Sequence, residues 1–279
     1  MHSLFNVNGL IFWSEKEFKL REMFRDYLVD QMRVALLDIN PAWQFFGIEA
    51  PLLMPRDQVN PNYTDEDIYS LGDLALRPET TPGSFRYLRE AFDTATGVKP
   101  PVCCWQMGKS FRREQDQPTK HVRLKEFYQL EFQCVFTDDT ADDYHARLQK
   151  PVEAMLADMI GLPTRVVDSD RLPSYSLRTV DVEVDNRDKW MEVCSMSLRK
   201  DFPGTARFQG KKGVIEKALL VAEIAIGMDR CVYNFLERTR GRTGRGGTDS
   251  LHVPGDSGDR GEAVHPVQGV DNGEVPGVR

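Results

Sequence analysis

The sequence predicts an α+β fold, an antiparallel sheet flanked by helices. Three observations lead there: a long amphipathic helix opens the chain, the later strands are mostly consecutive and hairpin-linked, and no regular strand–helix alternation appears. Of the 279 residues, 41% are hydrophobic and 28% charged, the balance of a soluble globular protein with a sizeable core.

Taken in order, Ser14 followed by Glu17 forms a capping-box pattern. Phe18, Leu20, Met23, Phe24, Tyr27, Leu28, Met32, Leu36 and Leu37 then recur at helical spacing, which predicts a helix to about Asp38. FFGIEAPLL is strand-like, and its Pro51 places it at an edge or a strand end. LALRPE reads as a strand, and TTPGSFRYLREAF as a helix capped by Thr81 with Pro82 in its first turn. PVCCWQMG is a strand running into FRREQDQPTKHVRLKEFYQLEFQ, a hairpin with a polar connection from about Gln115 to Val122. A helix follows from about Thr140 to Ile160, with Pro151 as a site for a kink. RTVDVEVD and WMEVCSMSL are β-rich, GVIEKALLVAEIAIG reads as one strand, and MDRCVYNFLER as the last helix.

A folded domain over residues 1–240 is expected. Residues 241–279 hold ten of the 21 glycines and no Phe, Trp, Tyr or Lys, so they are expected to form a disordered tail. The net charge of −7 argues against nonspecific coating of nucleic acid, though it leaves room for a local basic groove. Five cysteines, at 103, 104, 134, 194 and 231, contain no CxxC pair. They predict reduced, buried thiols without a zinc site, with Cys103 and Cys104 on opposite faces of a strand. No signal peptide and no membrane-length apolar run is apparent, so a cytoplasmic protein is expected.

Strand alternation lets one hairpin face gather Arg112, Glu114, Arg123, Phe127 and Glu131. Such a set can clamp phosphate oxygens, accept from an amino group, stack an aromatic base and bind a cation. The same spacing suits a solvated hairpin with cross-strand ion pairs, and spacing alone leaves both readings open.

The pattern FRRE, eleven residues, then EF resembles motif 2 of the class II aminoacyl-tRNA synthetases. GMDR at 227–230 resembles their motif 3, and FFGIEAPLL after the long helix their motif 1. LRPETTPGSF, WMEVCSMSLR and AEIAIGMDR resemble segments of the glycyl-tRNA synthetase branch, and the resemblance runs from about residue 10 to 238. It implies ATP-dependent activation of an amino acid, glycine foremost, as an aminoacyl-adenylate, then transfer to tRNA, with Mg²⁺ assisting.

By this resemblance Arg112 holds the α-phosphate and the substrate carboxylate, Glu114 meets the adenine amino group, and Phe127 stacks on adenine. Arg123 is placed at the outer phosphates, and Arg230 on adenine or the γ-phosphate, with Gly227 leaving room for the nucleotide. Glu79, Glu131, Glu192 and Glu223 are implied around the substrate ammonium, Arg199 nearby, and Glu216 with Glu223 as Mg²⁺ ligands. Glu79 also suits a helix-start position, and Glu131 and Glu192 also suit outward-facing strand positions. A homodimer through the motif 1 helix and strand is implied.

The chain departs from the family pattern at Ile224 and Ala225, where the related segment has Pro-Ser, and at Thr81-Pro82, where it has Ala-Gln. A glycine-rich tail stands where an anticodon-binding domain is expected. Two alternatives therefore stand beside a tRNA ligase: an amino-acid ligase acting on a carrier protein or other acceptor, and a non-catalytic synthetase-like protein.

Overall fold

The computed structural model describes residues 5–94, 97–113, 123–140, 143–170, 172–186, 189–210 and 213–243. The chain forms a hairpin of β1 (Phe5–Val7) and β2 (Leu10–Phe12), then α1 (Glu15–Ile39), β3 (Gln44–Gly47), β4 (Leu53–Pro55), β5 (Ser70–Leu71) and β6 (Leu74–Leu76). Helix α2 (Thr81–Asp93), β7 (Val102–Phe111), β8 (Glu126–Thr137) and α3 (Tyr144–Ile160) follow. Then come β9 (Thr164–Asp168), β10 (Ser176–Asp185), β11 (Trp190–Arg199), β12 (Ala206–Gly210), β13 (Gly213–Lys217), β14 (Leu219–Gly227) and α4 (Met228–Thr243).

Helix α1 starts on the reciprocal cap that its sequence encodes. The Glu17 N–H donates to Ser14 Oγ, and the Ser14 N–H donates to Glu17 Oε2. Helix α3 begins at Tyr144 rather than Thr140, because the Asp143 side chain accepts from the Ala146 N–H and caps it there. It passes Pro151 uninterrupted and ends at Gly161, whose φ of 69° lies in the left-handed region. At α2 the cap position is Thr80, not Thr81, and the Thr80 side chain makes no capping bond. Thr81 is the first helical residue, and its hydroxyl turns inward instead.

Seven strands form the main sheet in the order β3-β7-β8-β14-β11-β10-β9. Six run antiparallel, and β3 adds at the edge parallel to β7, across the long connection that a parallel pair needs. The sheet is thus mixed, and the segment read as an edge strand is one. Strand β8 starts at Glu126, so Arg123 falls in an exposed bend before it and not on the strand. The stretch GVIEKALLVAEIAIG is two strands, not one: β13 is an exposed arm paired with β12, while β14 is buried inside the main sheet. Charged Glu216 and Lys217 suit the first environment, and the apolar run after Ala218 the second.

The two faces of the sheet are unlike. One packs on α1, α3 and α4 through Phe24, Leu28, Phe132, Leu148, Ile224 and Phe235, with their neighbours. Leu28 and Phe132 are fully buried, so this layer carries most of the hydrophobic stabilisation. The other face is covered only in part, by α2 and by Phe202, which pack on Cys104, Val135 and Val221. Cys103 joins the first layer and Cys104 the second, as alternation requires. All five cysteines are buried and free.

Helix α4 runs to Thr243, so the first three residues of the expected tail are helical. Residues 244–279 lie outside the described residues. Among the described residues no helix is long and apolar enough to cross a membrane.

Candidate active site

The partly covered face gathers polar side chains because the register lines them up. Gln106 on β7 pairs with Glu131 on β8, which pairs with Ala225 on β14. One row along, Gln133 pairs with Glu223, and Glu223 pairs with Ser197 on β11. The start of α2 closes over these rows. Gln106 Nε2 donates to Thr80 O at 3.0 Å and to Ser84 Oγ at 2.6 Å, fixing the helix start against β7.

Below it, buried Arg77 ties three segments together. Its guanidinium donates to Lys109 O, Ala50 O and Gln106 Oε1 at 2.9, 2.9 and 3.3 Å. A Cβ at Gly108 would meet Arg77 Nη2 at 2.0 Å, so only glycine lets the guanidinium cross β7 there.

Within the cluster Glu223 Oε2 accepts from Arg199 Nη1 and Gln133 Nε2 at 2.7 and 2.8 Å. Thr81 Oγ1 lies 2.7 Å from that oxygen and 2.7 Å from Glu131 Oε1. Arg199, 2% exposed, also forks onto Asp201 at 3.0 and 2.7 Å and lies over the Tyr175 ring. Burial works against its charge, but Glu223 and Asp201 outweigh it and hold the arginine protonated. Glu79 accepts from Asn60 Nδ2 and the Tyr63 hydroxyl at 3.3 and 3.4 Å, and burial raises its pKa. Burial, then the nearby Glu223 charge, pushes Glu131 from its usual 4.5 up to about 8. Glu131 Oε2 and Gln133 Oε1 are buried without a hydrogen-bond partner, which points to donors from a ligand.

That raised pKa has a consequence for stability. Between 4.5 and about 8 the folded protein retains a proton that the unfolded chain releases. Stability from this group is full below the unfolded value, falls as pH rises through the window and levels off above it. The limiting slope is about 1.4 kcal/mol per pH unit. Denaturant midpoints across this window are expected to fall, and E131Q to flatten the fall; an E131Q profile parallel to the parent's would contradict the assignment.

Arg112 directs its Nε to Pro78 O at 3.0 Å, with its guanidinium 5.2 Å from the centre of the Phe127 ring and 5.4 Å from that of Tyr63. The residue after β7 and strand β8 thus bring Arg112, Phe127 and Glu131 to one side, with Glu79 beside Arg112. Arg123 is exposed, and Glu114 lies outside the described residues. Arg230, in the first turn of α4, donates to Glu192 O at 2.8 Å and ion-pairs with Glu192 Oε1 at 3.3 Å. Glu192 is half-exposed and not in the cluster; five residues of β11, about 16 Å, separate it from Ser197. A Cβ at Gly227 would make only ordinary contacts, so packing within the chain does not demand glycine there.

The Glu216–Glu223 magnesium pair does not fit this structure. Glu216 lies on the exposed arm, ion-paired to Arg207, while Arg199 and Gln133 take the inward oxygen of Glu223. Among the described residues no group of three metal-ligating side chains comes together.

Residues 64–239 match the family described as tRNA synthetase class II core domain (G, H, P, S and T), a span of more than half the chain. The chain belongs to this family. Similar curated proteins are the glycine–tRNA ligases of Mycolicibacterium paratuberculosis, 33% identical over 158 residues, and Mycoplasmopsis synoviae, 30% identical over 176 residues. These alignments cover 54% and 58% of this chain but 33% and 39% of those proteins, so the match spans between a third and two fifths of their length. A prolyl-tRNA synthetase from Cryptosporidium parvum, solved with L-proline and AMP, superposes with a TM-score of 0.60 over 84% of this chain and 50% of that one. At 14% identity that likeness shows the class II synthetase fold alone.

Within this synthetase core, several cluster members carry no sequence signal of their own. Gln133 was findable, because it lies two residues beyond Glu131 on the same strand face. Thr81 was hidden by its resemblance to a helix cap. Asn60, Tyr63, Tyr175 and Asp201 reach the site from loops, and no local periodicity marks them.

Proposed function

We propose that the chain activates glycine with ATP, forming glycyl-adenylate and pyrophosphate, and passes the glycyl group to tRNA. The observation that carries this reading is the buried set Glu79, Glu131 and Glu223 beside Arg112 and Phe127. Carboxyls buried around one point suit an ammonium group, which they bind through charge-assisted hydrogen bonds. An arginine next to an aromatic ring suits a phosphate and a base. In the reaction the substrate carboxylate attacks the α-phosphorus, the bond to the β-phosphate oxygen breaks, and pyrophosphate leaves. Arg112 offsets the charge that grows on the phosphate oxygens. Arg230 and Gly227 flank the nucleotide on the α4 side, with Glu114 and Arg123 assigned to adenine and the outer phosphates. Magnesium is assigned to the nucleotide's own phosphates, and no step here runs through Glu216 or Glu223.

Selectivity for glycine rests on the walls. The related segment's serine is Ala225 here, directly opposite Glu131, and its alanine is Thr81, in contact with Glu131. A hydroxyl lost from one side of Glu131 is thus regained on the other, leaving little space for a substrate side chain.

Amino-acid-dependent ATP–pyrophosphate exchange, run across all twenty amino acids, tests the reading. Exchange with glycine is expected. Exchange with serine or alanine alone overturns the specificity, and none with any amino acid overturns the enzymatic reading. Charging of bulk tRNA then separates tRNA from another acceptor.

Helix α1 leaves Phe18, Met23, Val34 and Leu37 exposed, apolar side chains that a homodimer through this helix would cover. Light scattering is expected to give twice the chain mass, and a stable monomer would contradict this.

A further inference from the structure

Thr81 Oγ1 is within hydrogen-bond distance of two carboxyl groups, at 2.7 Å from Glu131 Oε1 and 2.7 Å from Glu223 Oε2. A hydroxyl has one proton to give. If both carboxyls were ionised, one of these contacts would be two lone pairs facing each other. A second proton is therefore needed, and it belongs to a carboxyl.

Glu223 is the member already supplied with donors. The Oε2 that meets Thr81 also accepts from the Arg199 guanidinium and the Gln133 amide. Glu131 is 2% exposed, and among the described residues no lysine or arginine ion-pairs with it. Its second oxygen has no hydrogen-bond partner. Nearby Arg77 and the Thr80, Thr81 and Gln133 side chains favour a charge on Glu131, but burial and the Glu223 charge outweigh them, so a charge here is costly.

We propose that Thr81 holds Glu131 as a neutral carboxylic acid, and that capture of an ammonium group beside it discharges this proton to solvent. Glu131 donates to Thr81, and Thr81 donates to Glu223. When a cation enters, the Glu131 O–H bond breaks, the electron pair stays on the carboxylate, and water takes the proton. The ammonium N–H groups then replace it as donors to Glu131. For the identity of the ammonium ligand, this inference rests on the glycine reading above.

The groups facing Glu131 agree with the assignment. Glu223 from β14 adds negative charge, and Cys104 on β7 is neutral, its thiol pushed up to about 12 by burial. Arg77 and Arg199 supply the positive charge, but their hydrogen bonds go to other acceptors. The upward shift of Glu131 to about 8 has the same sign. A residue at 81 must accept and donate at once, which serine can do and alanine or valine cannot.

Infrared spectroscopy of the ligand-free full chain tests the pair through the carbonyl stretch of a neutral carboxylic acid. At neutral pH a band is expected that E131Q removes. T81V, which keeps the side-chain shape, should move it to higher wavenumber, as for an acid that has lost its acceptor, while T81S should leave it in place. T81A gives a second version of the shift if T81V does not fold. Absence of a Glu131 band, or a band indifferent to both hydroxyl removals, overturns the proposal.

Adding glycine then tests the discharge. The band is expected to vanish with about one proton released per glycine, read from binding heats in buffers of different ionisation enthalpy. Glycine binding with the band intact overturns the discharge. No binding heat with glycine, the Glu131 band remaining, sinks the glycine reading and supports the Thr81–Glu131 pair.

Discussion

Replacing Arg112 by alanine is expected to lower ATP–pyrophosphate exchange by roughly 10²–10³-fold or more while leaving the fold intact. Its guanidinium donates to Pro78 O and lies against the Phe127 and Tyr63 rings. It is half-buried and belongs to neither hydrophobic layer, so circular dichroism and the unfolding midpoint should stay close to the parent's. R112K keeps the charge but loses the planar fork, and it is expected to recover only a small part of the rate. Full activity in R112A would remove the phosphate role and, with it, the strongest support for an adenylate-forming site.

The second large effect is on stability. Arg199 is buried between Glu223 and Asp201, and removing one partner of a buried ion pair leaves charge without compensation. R199A is expected to cost roughly 3–5 kcal/mol, read as a lower urea midpoint at an unchanged denaturant slope. Replacing both Arg199 and Glu223 by methionine should recover much of that loss, since apolar side chains of similar volume tolerate such a site. A double variant no better than R199A would mean that the arginine acts through packing on Phe85 and Tyr175 rather than through charge.

Much of this architecture is legible where one segment contains the whole signal. The Ser14–Glu17 box starts α1, and the Cys103–Cys104 pair divides between the two layers. The face shared by Arg112, Phe127 and Glu131 follows from counting by twos. What depends on distant partners is not legible. The parallel seating of β3, the break at Ala218 and the turning of Thr81 toward two carboxyls are all set by neighbours remote in sequence. Glu192 shows the same limit from the other side: its motif points to the ammonium, yet its place on β11 gives it to Arg230.

The position of β14 also bears on how the protein forms. It enters between β8 and β11, pairing Glu223 with Gln133, ninety residues earlier in the chain. Contacts that span so much sequence close late, because their loop entropy is lost before they stabilise anything. Until β14 arrives, β8 and β11 each present an unpaired edge, the feature that most readily recruits another chain. During synthesis the carboxyl cluster thus comes into being only when one of the last strands docks. That same docking closes the two edges, so completion of the carboxyl cluster and protection from aggregation arrive in a single event.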